Sequence, residues 1–174
     1  MTSFLMILLA ALAQGPTASS NKTPAAAVIK RIEGVYKRRF ANSTVQEEHF
    51  ESEDILELVP YGSDKVYFRV HLEFYNGHTC DLLGIAKYED GAFVYRGPAG
   101  DTDVCVLTMR AGKKDLTLDD VGGNCKSASC GARGGYHGAG FPLTSRRAIR
   151  YMARLKAGKE YANAVAEYEK SVSH

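Results

Sequence analysis

At 174 residues, 45% of them hydrophobic and 24% charged, the chain has material for one ordinary domain with a hydrophobic core, and its composition excludes a disordered or collagen-like polymer. Its 22 Lys and Arg against 20 Asp and Glu leave a formal charge of +2. That balance gives no ground for a nucleic-acid partner, which calls for a strongly basic domain.

The first element is Phe4 to Ala13, ten uncharged residues followed by Gln14, Gly15 and Pro16. A membrane-spanning helix needs about 20 apolar residues. The run instead has the length of a signal-peptide core, with Ala11 and Ala13 as the small residues of a cleavage site. The chain is therefore divided into a signal peptide over residues 1–18, a polar linker over 19–23 and a single domain over 24–174. The expectation is a periplasmic or secreted protein with no transmembrane span in its mature part.

Pro24 opens a short helix over AAAVIKRI, since proline suits a first helical turn. Strands follow at Val35 to Phe40 and Ile55 to Val59. Lys65 to Tyr75 alternates, with Phe68, Val70, Leu72 and Phe74 on one face and Tyr67, Arg69, His71 and Glu73 on the other. Asn76-Gly77 then marks a hairpin turn, because both residues tolerate positive φ. Further strands run from His78 to Tyr88, Ala92 to Arg96, Val104 to Arg110 and Leu116 to Leu118. Seven short strands joined mostly by tight turns predict a mainly β fold, a small antiparallel up-and-down β-barrel, because closure removes exposed edges.

From Val121 to Pro142 the alternation stops, and seven glycines predict an ordered loop. Thr144 or Ser145 then caps a helix beginning SRRAIRYMARL, with Ile149, Met152, Ala153 and Leu155 as its apolar stripe. Gly158 breaks it. A second helix from Lys159 to Lys170 stacks Tyr161, Val165 and Tyr168 on one side. Most of the acids lie between Glu47 and Asp90, whereas Arg146, Arg147, Arg150, Arg154, Lys156 and Lys159 make the C-terminal helices basic. The simplest reading is that these helices pack back on the acidic barrel wall or show a solvated face.

The four cysteines, Cys80, Cys105, Cys125 and Cys130, read as two disulfides in an exported chain. Three pairings are open. The strand reading favours Cys125 with Cys130, close in sequence, and Cys80 with Cys105, near one rim of the sheet. A zinc site would need a second Cys pair or a His-x3-His partner, and only His137 lies near. No catalytic set assembles either. His49, His71, His78, His137 and His174 lack metal spacing, and the adjacent acids Glu47-Glu48 and Asp119-Asp120 diverge in direction. The expectation is a protein that is not an enzyme, with no cofactor and no metal.

Cys130-Gly131-Ala132-Arg133-Gly134-Gly135-Tyr136-His137 is the segment suited to contact. Its glycines allow close backbone approach, a disulfide would stiffen its base, and Arg133, Tyr136 and His137 supply a cation, an amphipathic ring and a titratable donor. The competing reading packs Arg133 against the acidic wall and Tyr136 into the barrel mouth.

Asn76-Gly77-His78-Thr79-Cys80, Gly84-Ile85-Ala86, Cys105-Val106-Leu107, Cys125, Cys130-Gly131-Ala132-Arg133-Gly134 and Ser145-Arg146-Arg147-Ala148-Ile149-Arg150-Tyr151 together resemble a set of uncharacterised exported bacterial proteins. More distantly, a small disulfide-bearing barrel behind a signal peptide resembles the periplasmic lysozyme-inhibitor barrels. Those families insert a Ser-Gly-x-x-Tyr loop into the lysozyme cleft, and here Gly134-Gly135-Tyr136 stands as its analogue. The resemblance implies a protein-binding module of the cell envelope, an inhibitor of a lysozyme-like hydrolase, whose partner is an envelope or extracellular protein. The alternative is a lipocalin-like carrier holding a small apolar ligand inside the barrel. Large inward residues such as Phe68, Phe74 and Phe93 argue for a filled interior and surface recognition.

Overall fold

The computed structural model describes residues 24–99 and 103–173. The signal peptide and linker expected over residues 1–23 lie outside the described residues. The fold opens with α1 (Ala25–Ile32), entered from Pro24, whose Val28, Ile29 and Ile32 recur on one side and are buried.

Eight antiparallel strands follow. They are β1 (Gly34–Ser43), β2 (His49–Tyr61), β3 (Lys65–Glu73), β4 (Thr79–Glu89), β5 (Ala92–Ala99), β6 (Asp103–Ala111), β7 (Asp115–Asp119) and β8 (Gly140–Pro142). Each pairs with its sequence neighbour, in the order β1 to β8. Val35 on β1 and Arg147, just past β8, exchange two backbone hydrogen bonds of 2.8 Å, which brings the sheet close to a complete barrel. Three helices, α2 (Asn124–Ser129), α3 (Met152–Lys156) and α4 (Lys159–Val172), complete the chain. All seven strands expected from alternation are present. The β3–β4 turn has three residues, Tyr75 to Gly77, and Asn76 and Gly77 both take positive φ.

Period-two alternation builds the core. Leu56 and Leu58 of β2 pair with Val70 and Phe68 of β3, and all four are fully buried inside the barrel. Phe93, Leu107, Met109, Leu116 and Phe141 fill the remaining interior to the same degree. Each such side chain stabilises the fold by roughly 1.5–3 kcal/mol relative to exposure. One mouth is closed by α1, where the hydroxyl of buried Tyr36 donates to the Ile32 carbonyl at 2.7 Å. The other is closed by α2 and the residues after it.

The outward faces of β2, β3 and β4 carry a second apolar cluster, Val59, Tyr67 and Ile85, covered by Ala164 and by Ile149, Met152, Leu155, Tyr161, Val165 and Tyr168. Three expectations change here. The helix expected to begin at Thr144 or Ser145 starts only at Met152, because Arg147 is extended in its bridge to Val35. Ala153 is exposed, outside the apolar stripe. The charge pairing across the interface is also inverted, since Arg69 of the wall bonds Glu160 of α4 at 2.9 Å and Tyr61 donates to Glu169. Beneath them, Glu57 is almost wholly buried and accepts from Arg69 Nε at 2.7 Å and from the Tyr151 hydroxyl.

The barrel wall has one break. Pairing of β4 with β5 ends at Lys87↔Val94, while β5 stays with β6 as far as Ala99↔Asp103 and β4 stays with β3 as far as Thr79. The strands therefore splay apart. At their open end lies α2, unanticipated within the glycine-rich segment, and both disulfides fasten it there: Cys105–Cys125 to β6 and Cys80–Cys130 to β4. This corrects the expected pairing of Cys125 with Cys130 and Cys80 with Cys105. Cys125 and Cys130 sit at opposite ends of a helix, five residues and so about 7.5 Å of rise apart, beyond the usual Cα separation of a disulfide. Cys80 and Cys105 stand on strands that are not neighbours. A second departure occurs at the rim, where β2 leaves β3 at Ile55↔His71 but continues with β1 to Ser43↔His49, so the β1–β2 hairpin projects past the barrel. Buried Asp54 seals that fork, accepting from Arg38 Nε at 3.0 Å and from the Glu73 amide at 2.8 Å.

Candidate partner-binding site

The loop after α2 is built on the Cys80–Cys130 bridge. Cys130 pairs with Cys80 as an isolated antiparallel bridge, and the Gly131 amide donates to the Thr79 carbonyl at 3.0 Å. The chain then turns back on itself, with the Gly134 amide donating to the Gly131 carbonyl at 3.2 Å. Close approach of the loop backbone to the β3–β4 turn leaves no room at Gly131, where a Cβ would stand 2.8 Å from His78 Nδ1.

The three residues expected to make contacts separate. Tyr136 is fully buried: its ring fills the barrel mouth beside α2, and its hydroxyl shares a 2.7 Å hydrogen bond with Ser129 Oγ. Burial pushes its phenol up to about 12, so the proton is retained and the ring serves the scaffold. In this arrangement Tyr136 offers no surface to a partner, which corrects its assignment to the contact set. His137 is exposed and held by Asp119, Nδ1 to Oδ1 at 2.6 Å. Arg133 is exposed, not packed against the acidic wall, with its guanidinium carbon 5.9 Å from the ring centroid of Tyr75.

Tyr75 was missed by the sequence reading. It caps the β3–β4 turn and is 41% exposed, as an unusually large apolar residue for a turn tip. Its neighbour Asn76 accepts from the Val45 amide at 3.3 Å, and Val45, a lone apolar residue among Asn42, Ser43, Thr44, Gln46 and Glu47, is 55% exposed. Phe50 on the projecting hairpin is exposed as well. Val45 and Tyr75 were legible as apolar residues set in turn sequence, but nothing local linked them to Arg133.

The barrel end thus presents Arg133 on Tyr75, with Val45 tied to the same turn. Such a surface offers an aromatic face, a cation and an aliphatic contact, without a nucleophile or paired acids converging on one point. Among the described residues no three His, Cys, Asp or Glu side chains group as a metal site. No family model, no curated protein and no solved structure matches the chain.

Proposed function

We propose that the chain is an exported protein-binding module of the cell envelope, acting through the barrel end at Arg133 and Tyr75 and not through catalysis. The observation that carries this is the cation–π contact of Arg133 with Tyr75, on a loop pinned by a disulfide. Arg and Tyr are the residue types that most often dominate binding energy. A loop covalently tied to β4 gives up little freedom on binding. The two disulfides suggest an oxidising, non-cytoplasmic environment, and no helix of the described residues is long and apolar enough to cross a membrane. The partner we infer is a lysozyme-like hydrolase, whose acidic cleft would receive the Arg133 guanidinium. The loop differs from an inserted Tyr loop in two respects: it lacks the Ser-Gly-x-x-Tyr order, and Tyr75, from the neighbouring turn, stands at the surface in place of Tyr136. The large side chains buried inside the barrel, Phe68, Phe93 and Phe141 among them, favour surface recognition over the lipocalin-like alternative.

The test is titration of purified, oxidised protein into a lysozyme assay, beside an Arg133→Ala/Tyr75→Ala variant. Inhibition by the wild type that the variant loses at unchanged melting temperature supports the proposal. If lysozyme-like hydrolases are unaffected, and envelope-extract captures with wild type and variant are identical, the proposal fails.

A further inference from the structure

Where β4 and β5 splay apart, a cleft of about 270 Å³ opens on the outer side of the barrel, roofed by α4. Its floor is Tyr95. That side chain is 8% exposed, with its ring against Phe68 of the core at 5.2 Å between centroids. Gly84 and Gly97 flank the ring so closely that a Cβ at either would overlap it, so the two glycines form a slot that the tyrosine fills. The ring is thus a plug in the break of the wall, with one side on the core and the other on the cleft.

The Tyr95 hydroxyl has no hydrogen-bond partner among the described residues, although every sealed side-chain polar atom there has one. The hydroxyl therefore faces the cleft, where a ligand can supply the partner that the protein does not. Its proton is firmly held: burial raises the phenol, and the Glu167 carboxylate raises it further. The cleft therefore offers a donor at Tyr95 and an acceptor at Glu167 beside apolar Ile85, Val104 and Ala164, while Arg96 on its rim is already paired with Glu89 at 2.8 Å. A ligand hydroxyl is the group that satisfies both, since it accepts and donates at one atom. The volume sets the size of the ligand. An engineered apolar cavity of about 150 Å³ holds benzene, and drug-sized ligands take about 300–1,000 Å³, so the cleft suits one or two rings.

We propose that the wedge between β4 and β5 is a binding site for a small neutral phenol-type molecule, its ring against Ile85, Val104 and Ala164 and its hydroxyl between Tyr95 and Glu167. This site is separate from the barrel end at Arg133, and neither proposal depends on the other.

The experiment is NMR titration of the oxidised protein with p-cresol and, in parallel, with toluene, which has the same ring and methyl group without the hydroxyl. Saturable shifts of the Ile85, Gly97 and Ala164 amides are expected with p-cresol, and toluene should bind about tenfold more weakly for want of the hydrogen bonds. Tyr95→Phe removes the hydroxyl but keeps the plug and should cost p-cresol a similar factor while leaving toluene unchanged. Glu167→Gln, on the exposed face of α4, gives a second reading that does not touch the core and should weaken p-cresol several-fold. Absence of saturable shifts with p-cresol, equal affinity for toluene, or p-cresol affinity indifferent to both substitutions would each overturn the proposal.

Discussion

A Cβ on Gly134 would stand 2.5 Å from the Sγ of Cys80, and 3.1 Å from the Cβ of Cys130. The loop backbone therefore lies directly on the disulfide. Gly134→Ala should cost about 1–3 kcal/mol as an overpacked substitution. Gly135→Ala, whose nearest neighbour is the Lys126 side chain at 3.8 Å, should change stability by no more than about 0.5 kcal/mol. Urea denaturation of the two variants checks this, and equal midpoints would show that the loop yields freely.

Thiol titration of the unfolded, unreduced protein should find no free thiol, and peptide mapping should recover Cys80 with Cys130 and Cys105 with Cys125. On the chain-entropy model the bridge spanning 50 residues contributes roughly 4 kcal/mol and the one spanning 20 roughly 3 kcal/mol. Removing the Cys80–Cys130 pair should accordingly be the more damaging of the two double substitutions. A Cys125–Cys130 peptide would refute the placement of α2.

Arg133 and Tyr136 should respond oppositely to truncation. Arg133→Ala removes an exposed side chain and should leave stability within about 0.5 kcal/mol. Tyr136→Ala empties the barrel mouth and should cost about 3–5 kcal/mol, as for other buried aromatic residues. Tyr136→Phe loses only the bond to Ser129, about 1 kcal/mol. Thermal melting separates these cases, and a large drop for Arg133→Ala would return that residue to the scaffold.

Alkaline pH should unfold the protein. Burial pushes the phenols of Tyr36, Tyr67 and Tyr136 up to about 12, whereas in the unfolded chain they ionise near 10. Between those values the unfolded state holds fewer protons than the folded one, so stability falls as pH rises. Their contribution is complete below about pH 10 and is lost toward pH 12, by up to about 1.4 kcal/mol per pH unit for each tyrosine. Urea midpoints at pH 9 and pH 11 measure the slope. Phenolate absorbance from these rings should appear together with unfolding, and its appearance in folded protein at pH 10 would contradict their burial.

The barrel was legible because seven of its strands carry two-residue alternation and turn residues between them, Asn76-Gly77 and Asp90-Gly91 among them. What escaped has too little pattern to read. β8 is Gly-Phe-Pro, and α2 is six residues, NCKSAS, without an apolar stripe. The disulfide pairing escaped for a different reason. It depends on where β4 and β5 separate, and that is decided by Tyr95 lodging between Gly84 and Gly97, three residues that no local period connects. For Tyr136 the surrounding glycines leave two readings open, surface contact or barrel mouth, and local sequence does not choose between them. Its environment is set by the mouth it fills, which belongs to the whole barrel.

Every strand of the sheet pairs with its neighbour in sequence, yet the last join, between Val35 and Arg147, links residues near opposite ends of the described chain. Hairpins of such local pairing form early and at little loop-closure cost, whereas this join must wait for nearly all the others. Until Arg147 arrives, β1 is an open edge able to recruit a strand from another molecule. Arg147→Pro, which removes the amide donated to Val35 but keeps α3 and α4, should therefore raise edge-to-edge association, read as oligomer on size-exclusion chromatography.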